Sequence, residues 1–511
     1  NINDYYVSGR NATTIFISGT MFASMLSTNG FMGDTAYAYN GNITTLVLLN
    51  TICACGYIIG GLYFGRYIRR SKANAMPTYF WQRFNSTRIR KFAGIITVVS
   101  LSAYLLSVLQ GTAILMVCMT GFSKETCLLL AWSCIVFFTL YSGSKGVLIT
   151  DTIMCIFFLI ATIVAGQYIF NASGGISNLI TNLVNNPNTP DGLLSFHGNT
   201  NGKSIFDILF YGFTMGIIWM ITVAVSPWQA GRNLMVKNEH IIFRAGTIGV
   251  LLSVFFLLYL YLMAISVIQI NPNMQEPERV IIWAAFEVMP ELIGVLLLTG
   301  IMAAGLSSAS TFLSVVSFCT SSDILDVKFK KDSSKINFTR LIVFIVSLIA
   351  LGLAYLDLSS IRIIAWFAST IIAASWGYVA FASVWSKKLT ERGAYYAMIS
   401  GFLTFIIARF LKEYFDIPLE NFLHPFFIAT FVSILSGILG SQNQMKTKEE
   451  IKFQIFLHIL PKKESNILDY KKDKIFAWII IISGIIISIL LINYWAFAYE
   501  DAINLKLSMK S

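Results

Sequence analysis

Of the 511 residues, 56% are hydrophobic and 12% are charged, about half the charged share of an ordinary soluble domain. Too few ionised groups are present to cover a soluble surface, and with a mean hydropathy of +0.69 the chain reads as an all-α polytopic membrane protein. The net charge of +11 sits in short clusters between long apolar runs, which argues against nucleic acid as a partner. The seven cysteines and four histidines suggest neither a disulfide framework nor a zinc or haem site.

A bilayer-crossing helix needs about 20 mostly apolar residues. In chain order a lead-in over 1–12 is followed by thirteen predicted spans: 13–39, 43–66, 92–121, 125–141, 147–170, 205–226, 242–268, 290–318, 338–357, 360–385, 393–411, 423–440 and 475–498. Amphipathic pieces fall near 77–85 and 278–288. The largest loops are 171–204, rich in Asn, Gly and Ser, and 441–474, which is Lys/Glu-rich and reads as a short surface helix. With residue 1 in the cytoplasm, 29 of the 37 Lys and Arg fall in inside segments, 6 fall outside, and Arg362 and Arg409 lie within spans. Cytoplasmic loops carry such an excess. The pattern therefore predicts a plasma-membrane protein with 441–474 inside and the C-terminus outside.

Polar residues at membrane depth are costly, which makes them functional candidates. The first span contains Ser24, Ser27, Thr28, Asn29, Gly30, Gly33 and Asp34. Such a run is poor helix material. Local unwinding there would free carbonyls and helix ends for ions and solutes; the alternative is close packing through small residues. The eighth span holds Ser307, Ser308, Ser310, Thr311 and Ser314. Ser307, Ser310, Thr311 and Ser314 share a face through three- and four-residue spacing. Neutral hydroxyls and carbonyls suit a hard cation such as Na⁺, although serines also bond back to their own helix. From position alone Asp151 reads as a helix-start carboxylate at the inner end of the fifth span. Asp34 is either a vestibule residue or a counter-ion for a cationic solute.

Four motifs bring these features together. The opening Asp4-Tyr5-Tyr6-Val7-Ser8-Gly9-Arg10, Phe22-Ala23-Ser24-Met25-Leu26-Ser27 on the first span, and Ala304-Gly305-Leu306-Ser307-Ser308 on the eighth resemble segments of the sodium:solute symporters. So does Gly146-Val147-Leu148-Ile149-Thr150-Asp151 before the fifth. The resemblance covers residue 4 to about 385. It implies a LeuT-like core of two inverted five-helix repeats, 13–170 and 205–385, with peripheral spans in 386–511. It also implies a further helix before residue 4 and a fourteen-helix form. Ala23, Leu26, Ala304, Ser307 and Ser308 would form a common Na⁺ site. Asp151 with Ser307, Ser310 and Thr311 would form the second Na⁺ site found in some members. The chain departs from the family at Ser142-Gly143, where a Gly pair is usual, and at Met154, where Gln is usual. An arginine that holds the carboxylate in sialic acid transporters would fall near Tyr104.

Gly30-Phe31-Met32-Gly33-Asp34-Thr35-Ala36 and Ser226-Pro227-Trp228-Gln229-Ala230 are loosely similar to the choline-transporting branch. A tryptophan face binds quaternary ammonium, which suggests an amine-like solute. Ser27, Asn29, Asp34, Tyr104, Trp228 and Trp366 are the candidate solute residues. The implied function is Na⁺-coupled symport of a small organic solute by alternating access, with one or two coupling ions. The alternative is a transporter-like receptor acting with a separate signalling chain. Enzymatic activity is not expected, since no His/Asp/Glu constellation faces one membrane surface.

Overall fold

The computed structural model describes residues 7–198, 204–327, 331–356 and 361–509. Asp4, Tyr5 and Tyr6 of the opening motif lie outside the described residues. Among the described residues, ten helices are long and apolar enough to cross a membrane, and two shorter apolar helices accompany them. Lipid offers no hydrogen bonds to a backbone, so a spanning segment satisfies its own as a helix.

In chain order the helices are α1 (Thr14–Met25), α2 (Asn29–Ser71), α3 (Met76–Phe84), α4 (Thr87–Thr120), α5 (Lys124–Ala172), α6 (Leu179–Asn185), α7 (Ile205–Val225) and α8 (Glu239–Ser266). There follow α9 (Val280–Glu287), α10 (Glu291–Cys319), α11 (Asp332–Ala354), α12 (Ile361–Trp385), α13 (Glu391–Tyr414), α14 (Pro425–Ser441), α15 (Lys448–His458) and α16 (Ile467–Leu490). The amphipathic pieces expected near 77–85 and 278–288 are α3 and α9.

Two of these elements double back. In α2 the turn is at Gly41, with φ +95°, a conformation glycine reaches without the steric cost of a Cβ. Before it, Phe31 packs on Phe256 and the Tyr39 hydroxyl donates to Asn271 O, so 29–39 runs alongside α8 in the same direction. After it, Asn50 donates to Ser253 O and Arg66 and Arg70 pair with Glu239, so 43–71 runs the opposite way.

In α5 the helical assignment is unbroken over 49 residues. A straight helix of that length would be about 73 Å long, more than twice the roughly 30 Å hydrocarbon core. Its neighbours show a reversal instead. Tyr355 donates to Glu125 O and Arg340 to Leu140 O, which sets 124–140 antiparallel to α11. Ser307 donates to Asp151, and a Cβ at Gly300 would lie 3.3 Å from Phe158, which sets 147–172 antiparallel to α10. The Ser321–Thr339 hydrogen bond makes α10 and α11 antiparallel neighbours. The two halves of α5, 124–140 and 147–172, therefore oppose each other.

Other expectations need correction. The last span, predicted over 475–498, belongs to a longer helical run, Ile467–Ser508. Asp469 and Asp473 at its start pair with Arg244, and Lys506 near its end donates to Val184 O. The loop 171–204 contains α6. In 441–474 the expected short surface helix is α15, anchored through its two buried residues, Glu450 and Leu457. Glu450 accepts from Glu391 N, and Leu457 O accepts from Arg70.

The packing of α2 on α7 depends on backbone contact. Gly56 and Gly60 form a small-xxx-small pair of the kind that lets membrane helices approach closely. A Cβ at Gly60 would lie 2.5 Å from Ala224 Cα, and one at Gly56 would strike Met220 O. Neither neighbour is a flexible side-chain end. Gly60→Val is therefore expected to destabilise the protein by about 2 kcal/mol or more, read as a lowered melting temperature of the purified protein. Gly484, with open space around it, is the control whose substitution by Ala leaves melting unchanged.

Candidate functional site

The first helix stops where its residues stop favouring it. α1 ends at Met25, and Leu26 is extended at φ −84°, ψ 105°. Ser24, Ser27 and Thr28 offer hydroxyls that compete for backbone partners, and Ser27 Oγ accepts from Asn29 N at 3.1 Å. Gly305 on α10 and Gly111 on α4 make room for the irregular segment. A Cβ on the first would lie 3.0 Å from Thr28 Cγ2, and one on the second 2.5 Å from Thr28 Oγ1.

The break exposes oxygen. Ser308 Oγ donates to Ala23 O at 3.3 Å and to Leu26 O at 3.5 Å. These separations are longer than the roughly 2.7–2.8 Å of an ordinary hydroxyl bond, so the three oxygens gather round a point without closing on one another. Ala304 lies one helical turn before Ser308 and is fully buried. A set of neutral oxygens at membrane depth suits a small hard cation. Ser307, expected to serve two sites, turns the other way and donates to Asp151 Oδ1 at 2.7 Å.

Asp151 is the centre of a second cluster. Thr20 donates to its Oδ2 at 2.6 Å and Thr311 at 3.5 Å. Ser310 does not reach it, since its hydroxyl bonds back to Ser307 O at 3.0 Å. Two members of the cluster were not anticipated. Thr20 is one. The other is Arg232, whose Nη2 is 3.6 Å from Asp151 Oδ2. Arg232 stands in the short stretch after α7, in a charge cluster that reads as an ordinary inside loop, yet its side chain is only 4% exposed.

Beside the break lies a small cavity, lined among others by Leu26, Asn29, Asp34, Tyr104, Trp219 and Trp366. Four of the six candidate solute residues therefore meet at one space. Ser27 and Trp228 do not line it: Trp228 is fully buried, edge-on to Tyr104 and Phe312. Trp219 and Tyr261 complete the lining. Inside apolar runs, they carry no signal that separates them from core aromatics. Buried polar atoms normally have partners. Here Asn29 Oδ1, Asp34 Oδ1, Trp219 Nε1 and Tyr261 Oη have none among the described residues. Two acceptors and two polar groups able to donate are left open around one space. On the outer side the Arg362 guanidinium lies 3.6 Å from the Tyr37 ring centre and 4.4 Å from that of Trp366.

A model of the sodium:solute symporter family matches residues 5–401. The chain belongs to that family. Among curated relatives, this symporter is 24% identical over 455 residues to the high-affinity proline transporter PutP of Bacillus subtilis, covering 85% of this chain and 92% of that one. It is 22% identical over 471 residues to the sodium/pantothenate symporter of Haemophilus influenzae, covering 88% and 93%. Among solved structures it is similar to a Na⁺-coupled sialic acid symporter in a substrate-bound outward-open state, at a TM-score of 0.70 and 19% identity over 88% of this chain and 93% of that one. It is also similar to a nucleobase-cation-symport-1 family transporter in a closed conformation, at a TM-score of 0.57 and 11% identity over 88% and 98%. The protein is a multi-pass membrane symporter. It couples the movement of a small solute to Na⁺.

Proposed function

We propose that the Na⁺ that drives this symporter binds where α1 breaks, on Ala23 O, Leu26 O and Ser308 Oγ, with Ala304 and Ser307 on the adjoining turn of α10. The observation that carries this reading is the Ser308 hydroxyl held between the two freed carbonyls. Na⁺ there ties the irregular segment to α10. Leu26 and Asn29 sit both at that segment and in the wall of the cavity, so an ion on one side of the break sets the shape of the solute space on the other. That shared segment supplies the coupling.

Thirteen spans follow if the ten long helices are joined by α1 with 29–39, by 124–140 and by α14. The first spans of the two halves, 13–170 and 205–385, are both irregular. Leu26 is extended in one and Ser226 (φ −65°, ψ 152°) in the other, and Gln229 donates to Met21 O at 3.0 Å between them. This pairing supports the inverted repeat. The excess of Lys and Arg at 66–91 and 446–474 supports a cytoplasmic residue 1 and an outer C-terminus.

The solute is a small polar molecule whose cationic amine faces Asp34 and Asn29 and whose acceptor faces Trp219 and Tyr261. The open polar atoms around the cavity support that class, and Asp34 supplies the charge. Removing a charged hydrogen-bond partner costs about 1.5–3 kcal/mol. Asp34→Asn is therefore expected to weaken apparent affinity for an amine solute about 10- to 100-fold while leaving Na⁺ affinity unchanged, measured by radiolabelled uptake.

The identifying experiment is a thermal-shift panel of amines, amino acids, carboxylates and sugars on the purified protein, in Na⁺ and in K⁺ buffer. A true ligand stabilises the folded state by mass action. An amine-bearing solute is expected to raise the melting temperature in Na⁺ alone. Equal stabilisation in both buffers would remove the Na⁺ site from the coupling mechanism.

A further inference from the structure

The Asp151 cluster is built like a cation site, and it already contains a cation. Asp151 is fully buried and accepts from Ser307, Thr20 and Thr311. Opposite it, each nitrogen of the Arg232 guanidinium has a partner. Nε donates to Thr20 Oγ1 at 3.0 Å, Nη1 to Trp228 O at 3.0 Å and Nη2 to Thr311 Oγ1 at 3.0 Å. Thr20 and Thr311 thus each bridge the arginine to the carboxylate. The guanidinium stands 3.6 Å from Asp151 Oδ2.

Resting on the sodium-site reading above, we propose that Arg232 is a tethered cation that takes the place of a second Na⁺ at Asp151, so that this symporter moves one Na⁺ per solute.

Electrostatics supports the exclusion. A Na⁺ on the Asp151 oxygens would sit about 4 Å from the guanidinium. At an effective dielectric of about 20, that repulsion weakens binding about a thousand-fold. Hydrogen bonding adds to it. Thr20 and Thr311 each accept a bond from Arg232, which ties up lone pairs that an ion would need.

Position gives the pair a role. A narrow cleft is lined by Thr20, Arg232 and Thr311 together with Asn74, Met235 and Cys319. Ser307, on the far side of Asp151, is next to Ser308 and its two carbonyls. The pair therefore stands between the sodium site and this cleft. A fixed positive charge there neutralises Asp151 whether or not the coupling Na⁺ is bound.

The test counts ²²Na⁺ bound at equilibrium to the purified full chain in detergent. The wild type is expected to bind one Na⁺. Arg232→Gln frees the carboxylate and is expected to bind two, and Arg232→Gln with Asp151→Asn returns the count to one. Two Na⁺ on the wild type, or one on Arg232→Gln, would overturn the proposal. If Arg232→Gln does not fold, the charge-free double variant still decides. An unchanged count and an affinity within about threefold of wild type support a tethered cation, and loss of one ion overturns it. The sodium-site reading fails separately. In that case the wild type shows no saturable ²²Na⁺ binding, or Ser308→Ala binds as the wild type does.

Discussion

Ser308→Ala is expected to raise the Na⁺ concentration for half-maximal uptake about 10- to 100-fold while leaving the protein folded. Among the described residues, the hydroxyl is the one side-chain oxygen that donates to both Ala23 O and Leu26 O. Its removal takes one neutral ligand from an ion that the carbonyls still hold, a loss in the range of about 1.5–3 kcal/mol for hydrogen-bond-like contacts to charge. Because the site lies at the helix break, solute affinity measured in low Na⁺ should fall in parallel, and saturating Na⁺ should restore it. Ser310→Ala is the control. Ser310 bonds to the carbonyl of Ser307 on its own helix, so its loss is expected to change Na⁺ activation by less than about threefold. Equal effects of the two substitutions would show that the serines act through helix packing and not through an ion.

Side-chain hydroxyls marked the proposed ion site in the sequence because their chemistry is legible one residue at a time. Five of them in eight residues, Ser307 to Ser314, have no reason to be in a lipid-facing helix, and Ser24 to Asn29 is a poor helix in any setting. Direction was not legible. Ser307 and Ser308 are adjacent, and only the packed helices show that one faces Asp151 and the other the carbonyls. Arg232 was hidden for a related reason. In a chain whose Lys and Arg cluster in short stretches between apolar runs, one more arginine after Gly231 carries no sign that its side chain turns inward to Asp151. Trp219 and Tyr261 are hidden in apolar runs, where an aromatic that lines a cavity and one that fills a core look alike. The fold shows the same division. Hydrophobic run length located the long apolar helices, while the reversal at Gly41 and the opposed directions of the two halves of α5 required knowledge of which helices are neighbours. The close α2–α7 contact could have been read from Gly56 and Gly60 at their four-residue spacing, but not its partner.

Asp151→Ala alone is expected to lower stability by about 3–5 kcal/mol, because it leaves the Arg232 charge buried without its counter-ion. Arg232→Met alone should cost a similar amount in Na⁺-free buffer for the mirror reason. The two changes together should cost far less than their sum, since a pair removed whole leaves no uncompensated charge. Thr20 and Thr311 bond to both members of the pair, so in the double variant they lose partners but acquire no charge to solvate. A coupling of about 2 kcal/mol or more from the four melting curves is the expected result. Na⁺ then separates electrostatics from packing. In Arg232→Met the ion can replace the missing guanidinium, so added Na⁺ should recover much of the lost stability. In Asp151→Ala there is no anion for it to join, and Na⁺ should recover no more than the stabilisation that binding at the common site gives the wild type. If both single variants respond equally to Na⁺, the stabilisation comes from the common site alone, and the pair serves only to hold α1, α5 and α10 together.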